Sequence, residues 1–185
     1  MGKIWQCLQD NQMEFIQNQK IFFVATSPKT GRINLSPKGM DSFRVLKKNK
    51  IVWLNYTGSG NETAAHLLDD PRITIMFCSF DKKPLILRLY GIAKTVHPRD
   101  SAWLSLVSLF NDAEGARQIF EMEVELVKSS CGESIPFYDY AGEREDLKNW
   151  IRQKGETGIY NYWMEKNTLS MDDQPTGILE EMQYG

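Results

Sequence analysis

From residue 21 to residue 128 the chain is a succession of short β-prone runs, with few helical stretches between them. Ile21-Phe22-Phe23-Val24-Ala25-Thr26 is continuously apolar and reads as a buried strand. Ser27-Pro28-Lys29-Thr30-Gly31 supplies a turn, and Arg32-Ile33-Asn34-Leu35-Ser36 alternates as the returning strand of a hairpin. Pro37-Lys38-Gly39-Met40-Asp41 then breaks the strand and leaves Lys38 at its end. Further strands are expected over 50–56, 72–78, 85–96 and 117–128. Gly91, inside the long run 85–96, marks a bulge or bend of the kind that lets a sheet curl. Five or six mostly antiparallel strands with so little helix point to a small six-stranded barrel with flanking helices, not a parallel doubly wound sheet.

The flanks differ in character. Residues 4–18 carry Ile4, Trp5, Leu8, Met13, Phe15 and Ile16 among Gln and Asn, which suggests one amphipathic helix. A helix is also expected from Pro98 through Val107. Beyond residue 130 the chain becomes an aromatic loop, 134–140, and a helix over 143–154 with Leu147, Trp150 and Ile151 on one stripe. Gly155, Gly158, Asn161 and Asn167 then punctuate what reads as an irregular tail. It is too rich in Tyr and Trp for a disordered linker and is expected to pack on the barrel or on a second subunit. The organisation inferred is a single domain, 1–185, with a core over 1–130 and an extension over 131–185.

The stretch from Asn55 to His66 is where chemistry is expected. A strand, Ile51-Val52-Trp53-Leu54, enters it, and a short helix ending before Pro71 leaves it. Between them Thr57-Gly58-Ser59-Gly60-Asn61 forms a polar turn whose glycines let a backbone approach a ligand closely. Ser59 with Glu62 fits a capping box, and Asn61 is a competing cap. Either start exposes free N–H groups at the positive end of a helix dipole, where a phosphate binds readily. The same turn would serve equally as a bare capped connection, and it is neither a Walker-type nor a GxGxxG loop.

Composition narrows the partners. At 185 residues, with 42% hydrophobic content and a net charge of −2, the chain is an ordinary globular protein without the basic surface that broad nucleic-acid binding needs. No run approaches a membrane span, and Asp10 and Glu14 do not suit a signal peptide. Cys7, Cys78 and Cys131 are widely spaced and odd in number, which fits reduced thiols in the cytoplasm. His66 and His97 have no second ligand nearby in sequence, so no metal site is expected.

Single residues add candidates. Lys38, after a strand end and a proline, is placed to meet an anion, though a lysine is ordinarily only solvated. Arg88 lies in an apolar strand and needs a partner: a ligand, a carboxylate such as Asp41 or Glu62, or solvent at a sheet edge. Glu62 and His66, four apart, share a helix face; an acid–base pair competes there with simple support of the helix dipole by Glu62. No Ser/His/Asp, Cys/His or paired-carboxylate pattern stands out.

Taken in order, these motifs resemble the pyridoxamine 5′-phosphate oxidase-like family of flavin-binding split barrels over about residues 15–130. The resemblance rests on Asn34-Leu35-Ser36-Pro37-Lys38-Gly39, on Thr57-Gly58-Ser59-Gly60-Asn61-Glu62-Thr63-Ala64-Ala65-His66-Leu67, on Arg72-Ile73-Thr74-Ile75-Met76-Phe77 and on Leu87-Arg88-Leu89-Tyr90-Gly91. It implies a split barrel of the FMN-binding type and a homodimer with the flavin at the interface. By position, Asn34, Leu35, Ser36 and Lys38 would line the ring and ribityl chain. Ser59, Asn61, Glu62 and Thr63 would form the phosphate end, with Thr57, Gly58 and Gly60 of the same turn also cofactor-binding, and Ile86, Leu87 and Arg88 would border the flavin from the next strand.

The chain also departs from the pattern. Members that oxidise pyridoxamine phosphate carry an Arg-Lys pair where this chain has Glu62-Thr63, and an Arg-bearing C-terminal segment where this chain reads Asn167-Thr168-Leu169-Ser170-Met171. The resemblance therefore implies FMN, or a deazaflavin in its place, but a substrate other than vitamin B6. An FMN-dependent oxidoreductase acting on a small molecule, with NAD(P)H as a candidate donor, is the leading expectation. A flavin carrier or redox sensor without turnover is the alternative, and a structural barrel that holds no ligand is the third.

Overall fold

The computed structural model describes residues 2–179. Its centre is an antiparallel sheet in the order β3-β2-β6-β7-β8-β5-β4, with β1 paired to β8. The strands are β1 (Ile4–Trp5), β2 (Phe22–Thr26), β3 (Asn34–Lys38), β4 (Phe43–Lys47), β5 (Lys50–Tyr56), β6 (Arg72–Cys78), β7 (Ile86–Val96) and β8 (Ala116–Ser130). Helix α1 (Asp10–Asn18) precedes β2, α2 (Glu62–Asp69) joins β5 to β6, α3 (Trp103–Val107) joins β7 to β8, and α4 (Asp146–Lys166) follows the sheet.

The sheet curls until its ends meet. Phe22 near one end and Phe43 on the last strand touch edge to face, 5.0 Å between centroids, and Phe77 stands 5.1 Å from Phe43. Alternation along β2, β6, β7 and β8 turns Val24, Ile75, Phe77, Leu87, Leu89, Phe120 and Met122 into one cluster, all at most 1% exposed. Trp53 stacks on Phe120 within it at 4.6 Å. Val52, Leu54 and Ile119 face the other way and are covered by Leu106 of α3 and by Phe110. The split-barrel architecture follows from these pairings.

Gly91 explains much of the curl. The register between β7 and β8 slips between Tyr90 and Gly91. A Cβ on Gly91 would lie 1.9 Å from the carbonyl oxygen of Glu123, so only glycine allows that approach.

Among the described residues the sheet has eight strands where six were expected. Strand β4 was hidden because its hairpin to β5 turns on Lys48 and Asn49 without glycine or proline. The segment expected as one helix over 4–18 is divided: Ile4 and Trp5 add to β8, and α1 begins only after Gln9, which forms a capping box with Gln12. Pro37 and Lys38 stay within β3, because an edge strand has no neighbour there to miss the proline's N–H. The tail is also more regular than expected. Gly155 kinks α4 at φ 61°, and the helix then continues to Lys166.

Candidate functional site

Edge strand β3 sorts its side chains by alternation. Lys38, Ser36 and Asn34 pair with Phe22, Val24 and Thr26 and share their inner face. Leu35, 65% exposed, points to the outer face of the sheet. Beside the inner face, β5 ends in Asn55 and Tyr56 and passes into the glycine loop and α2. These elements enclose a cavity of about 320 Å³. Asn34, Ser36 and Lys38 line it from β3; Gly58, Ser59, Gly60, Asn61, Glu62 and Thr63 line it from the loop and helix; Asn55, Tyr56 and Arg117 complete it. The two sides meet where Asn34 Nδ2 donates to Thr63 Oγ1 at 3.3 Å.

The remaining candidates lie elsewhere in the protomer. Thr57 is buried, its hydroxyl donating to the Gly115 carbonyl at 2.9 Å and accepting from Trp163 Nε1 at 2.8 Å. Leu87 belongs to the barrel core. Ile86 and Arg88 share the outer face with Leu35 through the register Arg88↔Met76, Met76↔Phe23 and Phe23↔Pro37. Arg88 finds its partner in Ser130, donating to Oγ at 3.0 Å, and bonds neither of the expected carboxylates. Asp41 is taken by Arg44 in a two-pronged pair at 2.9 and 2.8 Å.

The loop is built to leave donors free. Asn61 occupies the N-cap of α2 without a side-chain capping bond, and the Ser59–Glu62 box does not form. The amides of Ser59, Gly60 and Asn61 find no acceptor among the described residues. Glu62 is turned aside: both carboxylate oxygens accept from the Met171 amide at 3.2 Å. It makes no pair with His66, whose Nδ1 is bonded to Thr26 Oγ1 at 3.0 Å and whose ring is 1% exposed.

Arg117 is the residue that sequence reading passed over. It opens β8, is 3% exposed, and donates from Nη1 and Nη2 to the carbonyls of Gly58 and Gly60 at 3.3 and 3.0 Å. Its Nε has no partner. Burial pulls its pKa down to about 10. Lys38 is pulled down to about 8, first by burial and then by the nearby Arg117 charge. Neither cation meets a carboxylate among the described residues. Ser36 Oγ and Asn61 Oδ1 are likewise buried and unpartnered. Buried polar atoms are normally satisfied, so this cluster of orphans around one cavity has the chemistry of an anionic, hydrogen-bonding ligand's site. The one signal for Arg117 in the sequence was the polar pair Arg117-Gln118 at the head of an apolar run.

Comparisons with known proteins agree with this architecture. A family model described as Pyridoxamine 5′-phosphate oxidase matches residues 8–131. The pyridoxamine 5′-phosphate oxidase family protein ustO of Aspergillus flavus is 36% identical over 193 residues, covering 95% of this chain and 78% of that protein. Among solved structures, HupZ from Group A Streptococcus superposes with a TM-score of 0.52 at 19% identity, covering 64% of this chain and 92% of its own. A putative pyridoxamine 5′-phosphate oxidase from Lactobacillus delbrueckii gives a TM-score of 0.54 at 18% identity, covering 66% and 94%. At these identities the two structures speak for the fold alone.

Proposed function

Because the chain belongs to the pyridoxamine 5′-phosphate oxidase family, we propose that its cavity holds FMN and that it is an FMN-dependent oxidoreductase acting on a small molecule. One observation carries this reading. Lys38 and Arg117 line a cavity beside a glycine loop, and among the described residues neither cation has a carboxylate partner and the amides of Ser59, Gly60 and Asn61 have no acceptor. Those groups, with Asn61 and Thr63, would hold the phosphate; Asn34 and Ser36 would meet the ribityl chain. A bound flavin supplies hydride or electron transfer, and the protein's part is to bind, orient and shield it from water.

The proposal includes a second copy of this chain. The cavity of one protomer is at the small end for a cofactor site. Leu35 at 65% and Ile33 at 76% exposed leave apolar area on the outer sheet face, where Ile86 and Arg88 also lie. A homodimer covering that face would complete the site with residues that one protomer keeps outside it. The three free thiols, Cys7, Cys78 and Cys131, suit a cytoplasmic protein. Among the described residues no helix is long and apolar enough to cross a membrane.

A carrier or redox-sensing role is the second reading, and a specific observation favours it. The cavity's carboxylate and phenol are already engaged: Glu62 by Met171, and Tyr56 through a 2.7 Å bond to the Asp112 carbonyl. The deciding experiment is an absorbance spectrum of the purified protein and the mass of whatever heat releases. Flavin bands and the mass of FMN are expected; a deazaflavin mass would replace the cofactor, and colourless protein that leaves FMN fluorescence unquenched would end the flavin reading. Bleaching of the flavin by NADH or NADPH separates the reductase from the inert binder.

A further inference from the structure

The C-terminal segment, outside the residues that the family model matches, reaches the glycine loop from behind. Asn167 is fully buried. Its Nδ2 donates to the carbonyl of Gly58 at 3.0 Å and to that of Ser59 at 3.4 Å. Its own carbonyl accepts from Asn61 Nδ2 at 3.1 Å and from Thr176 Oγ1 at 2.6 Å. Trp163, one turn earlier, donates to Thr57 Oγ1 at 2.8 Å. The chain then runs on to α2 and the β2–β3 turn: Met171 donates to Glu62, and the Asp172 carboxylate accepts from the Arg32 amide at 2.8 Å and pairs with its guanidinium. Residues 163–176 therefore tie the loop on one side to the β2–β3 hairpin on the other.

Peptide geometry gives this strap a consequence. In a trans peptide the carbonyl of one residue and the N–H of the next point in opposite directions. Asn167 and Arg117 hold the carbonyls of Gly58, Ser59 and Gly60. The N–H groups of Ser59, Gly60 and Asn61 must then face away from those donors, and they are the amides that find no acceptor among the described residues. We propose that the strap is part of the ligand site and that Asn167 is a positioning residue, which orients the glycine loop so that its amides bind the phosphate of an anionic ligand. The inference deepens the FMN reading and rests on it for the identity of the ligand, though not for the anion.

The test compares FMN, riboflavin and inorganic phosphate by titration on the full chain. Wild-type protein is expected to bind FMN more tightly than riboflavin. Asn167→Ala should weaken FMN and phosphate at least tenfold while leaving riboflavin within twofold, because only the phosphate end is disordered. Asn167→Asp, which keeps the size but loses the donor, should do the same and serves if the alanine variant fails to fold by circular dichroism. Trp163→Phe should give a smaller loss with the same selectivity. Equal weakening of FMN and riboflavin, or no change in either, would overturn the positioning role. Should the wild type bind phosphate and no flavin, the FMN reading falls, and loss of phosphate binding in Asn167→Asp still supports the strap. Absence of phosphate binding as well overturns both.

Discussion

Lys38 at the end of β3 and Arg117 at the start of β8 line one cavity as two cations, neither of them paired with a carboxylate among the described residues. Burial disfavours the charge on each, and Lys38 is further depressed by Arg117. An arrangement that costs the empty protein in this way is relieved when an anion enters.

That relief has a pH signature. Lys38 titrates at about 8 in the folded protein against an ordinary value of 10.5. An anion beside it raises the pKa, so binding above that point takes up a proton. Affinity for FMN should be flat below about pH 8 and fall as pH rises beyond it, approaching tenfold per unit. Fluorescence titration from pH 7 to 10 measures this, and Lys38→Met should abolish the slope. For folding the sign is the reverse of a salt-bridged lysine: between pH 8 and 10.5 the unfolded chain holds the extra proton, so this group's contribution to stability rises with pH.

Removing Arg117 should be felt twice. Arg117→Met keeps the bulk of the stem but frees the carbonyls of Gly58 and Gly60 and removes a cation. A charged hydrogen-bonding group of this kind is worth about 1.5–3 kcal/mol, or roughly ten- to hundredfold in FMN affinity. Riboflavin, which lacks the phosphate, should lose far less. Equal losses for both ligands in calorimetric titration would place Arg117 outside the phosphate end.

Acid should destabilise the fold through His97. Burial, with Arg99 beside it, pushes its pKa down to about 4 from 6.5, and its Nδ1 has no partner. The unfolded chain takes up the proton first as pH falls from 6.5 to 4, so stability is lost across that window. Denaturant midpoints measured at pH 7 and pH 5 should converge in His97→Gln relative to wild type.

Gly91→Ala should be among the most damaging single-methyl changes. The added carbon would sit 1.9 Å from the Glu123 carbonyl, so β7 or β8 must shift. A loss of about 3 kcal/mol is expected, read as a lower urea midpoint.

The outer sheet face offers a test of assembly. Leu35→Glu places a carboxylate where a second copy would cover an exposed leucine. Light scattering should report a monomer, and FMN affinity should fall with it. A stable dimer that retains full affinity would remove this face from the site.

Local pattern carried a good part of this. The alternation of Asn34 and Ser36, the glycine loop with its short helix, and the bulge at Gly91 were legible because each depends on residues adjacent in the chain, whereas Lys38 was expected in a break after the strand and instead continues it. The order of those motifs marked the family. Strand β4 was not legible, since its hairpin turns on Lys48 and Asn49 without the glycine or proline that punctuates most turns. Of the two caps that the sequence offered, Ser59 and Asn61, the helix takes Asn61, whose side chain turns to the Asn167 carbonyl instead of to the helix.

What the sequence determined by itself was six of the strands and the glycine loop among them, because hydrophobic period and turn chemistry act over a few residues. What only the tertiary structure decided was which side chains serve that loop. Arg117 is 57 residues from Gly60, and Asn167 is 109 from Gly58. Their roles arise from carbonyls of the loop that distant side chains reach only once the barrel has closed, a contact that no local pattern records.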